Sequence, residues 1–201
     1  MESQLNVEIL SESKDMETAL TFCAKRYDHT YGSYWRDAPD LLFVAKSQDK
    51  VVATLGLELG QACRTFGAER YFCLSPRMKE FITDHRLQMG ELGRFSSLFH
   101  QGARAVFQAA IGYAYENKIE YFIAWANPQV IDHMRNVLGI PFWALEVPIN
   151  AKAVESDDQW VCPPRNFFFR NPPPRLLLSV VPFWELVHRH LSIETSLKEN
   201  I

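Results

Sequence analysis

No run in this sequence approaches the ~20 consecutive apolar residues needed to cross a bilayer. Basic residues are not in excess. Lys and Arg number 21 against 24 Asp and Glu, a net charge of −3, so no positive field points to nucleic acid. The cysteines, Cys23, Cys63, Cys73 and Cys162, form no CxxC and no metal-like spacing with histidine. They read as free thiols of a reducing compartment. The N-terminal stretch MESQLNVEILSESKD is acidic and lacks the basic start and apolar core of a secretory signal. The expectation is therefore a cytoplasmic protein. Internal repeats are absent, and Pro172-Pro173-Pro174 is the one biased tract. No Ser/His/Asp order, HExxH or P-loop is present. His29, His85, His100 and His133 show no partner pattern and read as solvated or satisfied in the core. No metal and no permanently bound cofactor are expected.

What remains is an ordinary globular composition, 47% hydrophobic and 22% charged over 201 residues, enough for one sizeable domain. Aromatic residues are plentiful at 13%. They serve either core packing or the wall of an apolar pocket.

Residues 5–10 alternate as a half-buried strand. Ser11 or Ser13 caps a helix over about 14–29, with Met16, Leu20, Cys23 and Tyr27 on one stripe. Residues 31–40 read as a loop. Strands over 41–46 and 51–59 form a hairpin. Residues 60–74 read as irregular. Pro76 opens a short helix ending near Asp84. A strand over 87–97 carries Glu91 and Arg94, with Gly90 and Gly93 signalling a bulge. A helix over about 100–117 buries Ala103, Val106, Phe107, Ala110 and Ala114. A buried strand over 120–126 precedes a helix opened by Asn127-Pro128 and stopped at Gly139. Further strands are expected at 140–148, 167–170 and 175–181, with a polar loop at 150–159. A helix over 182–191 and a frayed tail at 192–201 close a single domain with its core at about 5–181. The order predicts an α/β (α+β) fold, a mixed sheet flanked by helices.

Several short motifs then fall in a telling order. They are Arg26-Tyr27 with Tyr31-Gly32, Asp37-Ala38-Pro39-Asp40-Leu41-Leu42, Ala53–Leu57, Glu69-Arg70-Tyr71-Phe72, Glu91-Leu92-Gly93-Arg94, Gln101-Gly102-Ala103 and Arg135–Gly139. Together, over roughly 15–180, they resemble the thermostable haemolysin family. Through it the sequence is similar to acyl-homoserine-lactone synthases and other N-acyl amino acid synthases, which have the GNAT acyltransferase fold. The resemblance implies an acyltransferase whose co-substrate is a thioester of acyl carrier protein phosphopantetheine or of coenzyme A. Those synthases carry a Glu-x-x-Arg strand motif, matched by Glu91 and Arg94. They carry an early arginine, matched by Arg26, and acidic residues entering the hairpin, matched by Asp37 and Asp40. Their hairpin arginine is replaced here by Gly56, which argues against a sulfonium amino-acid substrate. The phosphate loop of small-acyl enzymes is reduced at 99–104 to one glycine. A long-chain donor on a carrier protein fits better.

Amide formation from a thioester needs a base, an oxyanion site and a dry pocket. Glu91 is the candidate base, with Arg94 as its neighbour. Alternatively the two form a structural ion pair that pins the strand together with Arg26. Phe95, Ser96 and Ser97 offer N–H groups to the thioester carbonyl. Gln101, Gly102 and Ala103 open a helix that can take the donor's phosphate, or they form a plain strand-to-helix turn. Arg26, Tyr31, Trp35 and Asp37 are the candidate set for an amino-acid acceptor, or a surface loop around a buried tryptophan. A membrane-active protein and a non-catalytic ligand-binding domain are the rival readings.

Overall fold

Strand β2 (Leu41–Ser47) faces two different cores, which is why its sequence is apolar almost throughout. Phe43 and Ala45 pack into the largest apolar cluster. Leu42 and Val44 pack on the other face against Met16 and Ala19 of helix α1 (Ser13–Tyr31). The computed structural model describes residues 5–35, 37–62, 65–161 and 164–183.

The other strands are β1 (Leu5–Leu10), β3 (Lys50–Leu59), β4 (Met89–Ser97), β5 (Tyr121–Ala126), β6 (Trp143–Leu145) and β7 (Arg175–Val180). They form one sheet in the order β1-β2-β3-β4-β5-β7-β6. All pairings are antiparallel except that of β4 with β5. Two parallel neighbours require a crossover, and helix α4 (His100–Glu116) supplies it. Its expected stripe, Ala103 to Ala114, is buried on the sheet with Ile131 and Met134 of helix α5 (Pro128–Asn136). On the opposite face of β4, β5 and β7, a second cluster gathers Phe66, Tyr71, Trp160, Phe167 and Phe168 around Met89, Ile123 and Leu176.

The helices at 14–29, 76–84 and 100–117 stand within a few residues of expectation, the second as α3 (Pro76–His85). Five local readings are corrected. Neither Ser11 nor Ser13 caps α1; Glu12 holds the cap position without a side-chain bond. The stretch 60–74 contains a 3₁₀ turn (Gly60–Ala62) and helix α2 (Gly67–Tyr71), because Glu69 reaches back to the Phe66 N–H at 2.9 Å. Only three residues of 140–148 pair as a strand, since β6 meets only Leu176 to Leu178 of β7. The loop 150–159 carries helix α6 (Ala151–Glu155), capped by the Asn150 side chain on the Ala153 N–H. The expected strand at 167–170 is instead helix α7 (Arg165–Phe168), whose Phe167 and Phe168 fill the second core. The helix expected at 182–191 lies outside the described residues beyond Phe183, as do Cys63 and Cys162. Cys23 and Cys73 are free thiols.

Candidate active site

Strands β4 and β5 pair only from Met89 to Leu92, against Tyr121 to Ala124. Beyond Leu92 they part. The cause lies on the other edge of β4, where the register against β3 shifts between Thr54 and Gly56. Arg94 sits at this bulge with a left-handed φ of 46°, a strained conformation for a residue with a side chain. Its carbonyl accepts hydrogen bonds from the Thr54 hydroxyl at 2.9 Å and the Cys23 thiol at 3.3 Å. Gly56 makes the turn possible, because a Cβ there would stand 2.9 Å from Arg94 Cδ.

Two cavities open where the strands part. The first, about 210 Å³, is mainly apolar and lies between the splayed ends, with Leu55, Phe95, Phe107, Val130 and Met134 on its walls. The second, about 270 Å³, is polar and holds Asp37, Glu58, Arg70, Tyr71, Glu91 and Arg94. Trp35, Leu92, Gly93 and Trp125 border both.

Glu91 is 6% exposed. Its Oε2 accepts from the Gly67 N–H at 2.6 Å, and its Oε1 from the Ala68 N–H and the Trp125 indole N–H, both at 2.8 Å. Burial pushes its pKa from the ordinary 4.5 up to about 7, and the Glu58 charge adds to the rise, while the three donors oppose it. A carboxyl group poised near neutrality can both hold and give up a proton under physiological conditions.

The expected Glu91–Arg94 pair does not form; this is a correction. Arg94 instead pairs with Glu58 at 2.8 Å and donates to the Asp37 carbonyl at 3.2 Å. Its guanidinium lies 5.7 Å from the centre of the Trp35 ring, a cation–π contact. Three residues along a strand lie on opposite faces, so Glu91 and Arg94 start on opposite sides. The bulge brings Arg94 across to Glu58, which stands directly opposite Glu91 on β3. Two carboxylates facing each other repel. Arg94 offsets Glu58, and the three N–H donors with the raised pKa accommodate Glu91. Arg26 joins neither group; it is exposed on α1 at the first cavity.

The other expected residues divide. Phe95, Ser96 and Ser97 stand on the apolar cavity. Gln101, Gly102 and Ala103 do not line it. Ala103 is corrected outright: its side chain is buried in the core and its N–H is spent on the Phe99 carbonyl at 3.2 Å. Gly102 packs under the sheet, where a Cβ would stand 3.3 Å from that of Ala53. The acceptor set is split as well. Arg26 and Tyr31 face the apolar cavity, Asp37 the polar one, and Trp35 both. Asp40 is structural, accepting from the Leu59 N–H at 2.7 Å.

Partners that sequence reasoning missed are Gly67, Ala68, Trp125 and Glu58. Phe66-Gly67-Ala68-Glu69 has an acid at the third helical position, the mark of a helix start. Trp125 is two residues from Ile123, which β5 sets opposite Glu91, so the period of two places it on that face. His100 and His133 also prove to be partners, their rings stacked 4.9 Å apart. Burial, then the neighbouring His100, lowers the His133 pKa. No group of three or more metal-ligating side chains occurs among the described residues. No helix among them is long and apolar enough to cross a membrane.

The fold has known counterparts. FeeM, an N-acyl amino acid synthase from uncultured soil microbes, shares 16% identity at a TM-score of 0.58, over 90% of this chain and 93% of its own. BjaI, a CoA-dependent acyl-homoserine lactone synthase, shares 9% at 0.58, over 94% and 90%. The acyl-homoserine lactone synthase LasI shares 12% at 0.55, over 89% and 91%. At such identities the likeness is one of fold, and that fold is GNAT-like. No curated protein matches the sequence. Residues 9–161 match the family described as Thermostable hemolysin, and the chain belongs to that family.

Proposed function

We propose that this protein is an N-acyltransferase. It moves a fatty acyl group from a thioester of acyl carrier protein or coenzyme A to the amine of an amino acid or similar small acceptor. One observation carries the reading: an apolar and a polar cavity meet at Leu92 and Gly93, beside a buried carboxyl group with a pKa of about 7. The acyl chain takes the apolar cavity, since such a wall rewards burial of methylenes. The acceptor takes the polar one, where carboxylates and guanidinium groups suit an ammonium and a carboxylate.

In this reading Glu91, as carboxylate, removes a proton from the acceptor's ammonium. The freed amine nitrogen attacks the thioester carbonyl carbon. N–H groups of Phe95 to Ser97 stabilise the oxyanion. The carbon–sulfur bond then breaks, and the thiolate takes up the second proton that the nitrogen gives up. The products are an amide, a thiol and one proton. Arg94 holds the acceptor with Asp37 and Trp35. Arg26 and Tyr31, at the apolar cavity, act on the donor side. The N–H groups of Gln101 and Gly102, at the start of α4, take the donor's phosphate.

The test uses purified protein with decanoyl-acyl carrier protein or decanoyl-coenzyme A and a mixture of amino acids. Mass spectrometry should find N-decanoyl amino acids in step with released thiol. Absence of both products with either donor, across a range of chain lengths, would sink the reading. The membrane-active alternative predicts instead that the protein alone empties dye-loaded liposomes.

A further inference from the structure

Most glycines near the site are explained by what surrounds them. A Cβ at Gly60 would lie 1.9 Å from the Arg86 carbonyl oxygen, one at Gly90 2.5 Å from Leu57 Cδ1, and one at Gly56 2.9 Å from Arg94 Cδ. Gly93 is different. A Cβ there would meet nothing within 4 Å. Nor is Gly93 among the positive-φ glycines, which are Gly32 and Gly139, so its backbone would accept an L side chain without strain. A glycine inside a strand weakens the strand and marks a bulge or the close approach of a ligand or another backbone. Gly93 adjoins the bulge, but the residue there with positive φ is Arg94, so the bulge itself does not require a glycine at 93. The fold thus bears the cost of Gly93 and gains no packing from it. Gly112 also has open space around it, but it lies exposed on α4, and that space is solvent. Gly93 borders both cavities.

We infer that the open volume beside Gly93 is reserved for the reacting atoms: the thioester carbonyl and the attacking nitrogen meet where a side chain would otherwise stand. The inference rests on the two-cavity reading above and adds a positioning role that neither cavity alone defines. Leu92 and Trp125 bound the passage with side chains, whereas at Gly93 it is bounded by backbone alone. Substrate can therefore approach the main chain directly, within reach of the N–H groups that follow at Phe95 to Ser97. A single methyl group would shift the carbonyl from its place. A branched side chain would close the passage between the cavities.

The test compares Gly93→Ala and Gly93→Val with the wild type, using Gly112→Ala as a control away from the site. Melting temperature, acyl transfer from decanoyl-coenzyme A, and quenching of tryptophan fluorescence by the same thioester are measured. Both Gly93 variants should melt with or above the wild type. Transfer should fall about 10-fold in Gly93→Ala and about 100-fold in Gly93→Val, as expected when reacting groups are displaced by about 1 Å. The thioester should bind Gly93→Val at least about 10-fold more weakly, a tenfold step corresponding to about 1.4 kcal/mol. Gly112→Ala should match the wild type in transfer and binding, and should melt slightly above it, since alanine favours a helix interior over glycine. Undiminished transfer in Gly93→Val overturns the inference and leaves the proposed function standing. If the wild type binds the thioester but transfers to no acceptor, the function reading fails and the binding comparison still decides. Weaker binding to Gly93→Val upholds the reserved volume, and equal binding overturns it. Should Gly93→Val not fold, Gly93→Ala carries the same comparison.

Discussion

The two cavities share four walls yet are built on different principles. The apolar one is a consequence of backbone: two strands that pair as far as Leu92 and Ala124 separate, and side chains already serving the core line the gap. Leu55, Phe107 and Met134 belong to the main apolar cluster and also face the cavity. The polar cavity is a consequence of charge. Glu58 and Glu91 are set opposite each other, and an arginine in a strained conformation and three N–H donors accommodate them. The walls of the first cavity are thus also core residues, whereas the second holds charges that the fold must compensate. Substitutions should reveal the difference, because an apolar wall tolerates change in degrees and a buried charge network does not.

The largest effect is expected at Glu91. In the proposed reaction Glu91→Gln removes a proton acceptor worth about 10²- to 10⁴-fold in rate, with donor binding unchanged. The wild-type rate should rise with pH through about 7 as the carboxyl ionises, and the variant should lose that limb. Stability supplies an independent check. Between pH 4.5 and about 7 the folded protein keeps a proton on Glu91 that the unfolded chain has lost. Stability from this group is therefore present below 4.5 and is lost as pH rises to about 7, a span worth about 3 kcal/mol. Urea denaturation at several pH values should show that slope in the wild type and not in Glu91→Gln. A flat wild-type profile would mean that Glu91 is not poised as described.

Next comes the charge pair. Arg94→Ala takes from the half-buried Glu58 its 2.8 Å guanidinium contact, a loss between that of an exposed pair, about 1 kcal/mol, and that of a fully buried one, about 3–5 kcal/mol. Glu58→Gln combined with Arg94→Ala should recover much of that loss while acyl transfer stays low. Thermal melts of both single variants and the double variant measure the coupling. Additive losses would show that the pair is not the unit described here.

That Glu91 and Arg94 need partners was legible in the sequence, since charges in an otherwise apolar strand are rarely left uncompensated. Their partners were not. The spacing Glu91-x-x-Arg94 suggested a pair, yet a strand's period of two places them on opposite faces. Only the bulge at a left-handed Arg94 turns the guanidinium towards Glu58, and no residue type announces a non-glycine in that conformation. Gly67 and Ala68 reach Glu91 from a stretch that reads as irregular, because a helix of five residues has no period to detect. The apolar elements fared better. The stripe of α4 and the continuous run of β2 follow from burial alone, and they stand as expected. Phe167 and Phe168 show the limit of that approach, for an aromatic run bounded by prolines fits a strand or a helix equally until its neighbours are known.

A moderate effect is expected on the apolar side. Val130→Trp adds bulk to the wall supplied by α5. Acyl preference should move to shorter chains, with long-chain kcat/KM falling about 10-fold, the loss of a methylene or two from a pocket. The melting temperature should change little because Val130 is half-buried. A set of thioesters of graded length checks this. An unchanged chain-length profile would mean that the acyl group lies elsewhere.

The smallest effect is the most discriminating for the boundary between the two cavities. Arg26 suggests a grip on an acceptor's carboxylate, but it stands exposed beside the apolar cavity, together with Tyr31. An exposed guanidinium contributes less than about 1 kcal/mol to a contact, and salt screens it. Arg26→Gln should therefore raise the KM of the thioester by about threefold at low salt. It should leave the KM of the acceptor unchanged, and the difference should vanish as salt is added. An effect confined to the acceptor would move Arg26 to the polar side and blur the division. An effect confined to the donor would leave Asp37, Glu58, Arg70, Glu91 and Arg94 as the charged groups that an acceptor meets, and would make the two cavities distinct in ligand as well as in construction.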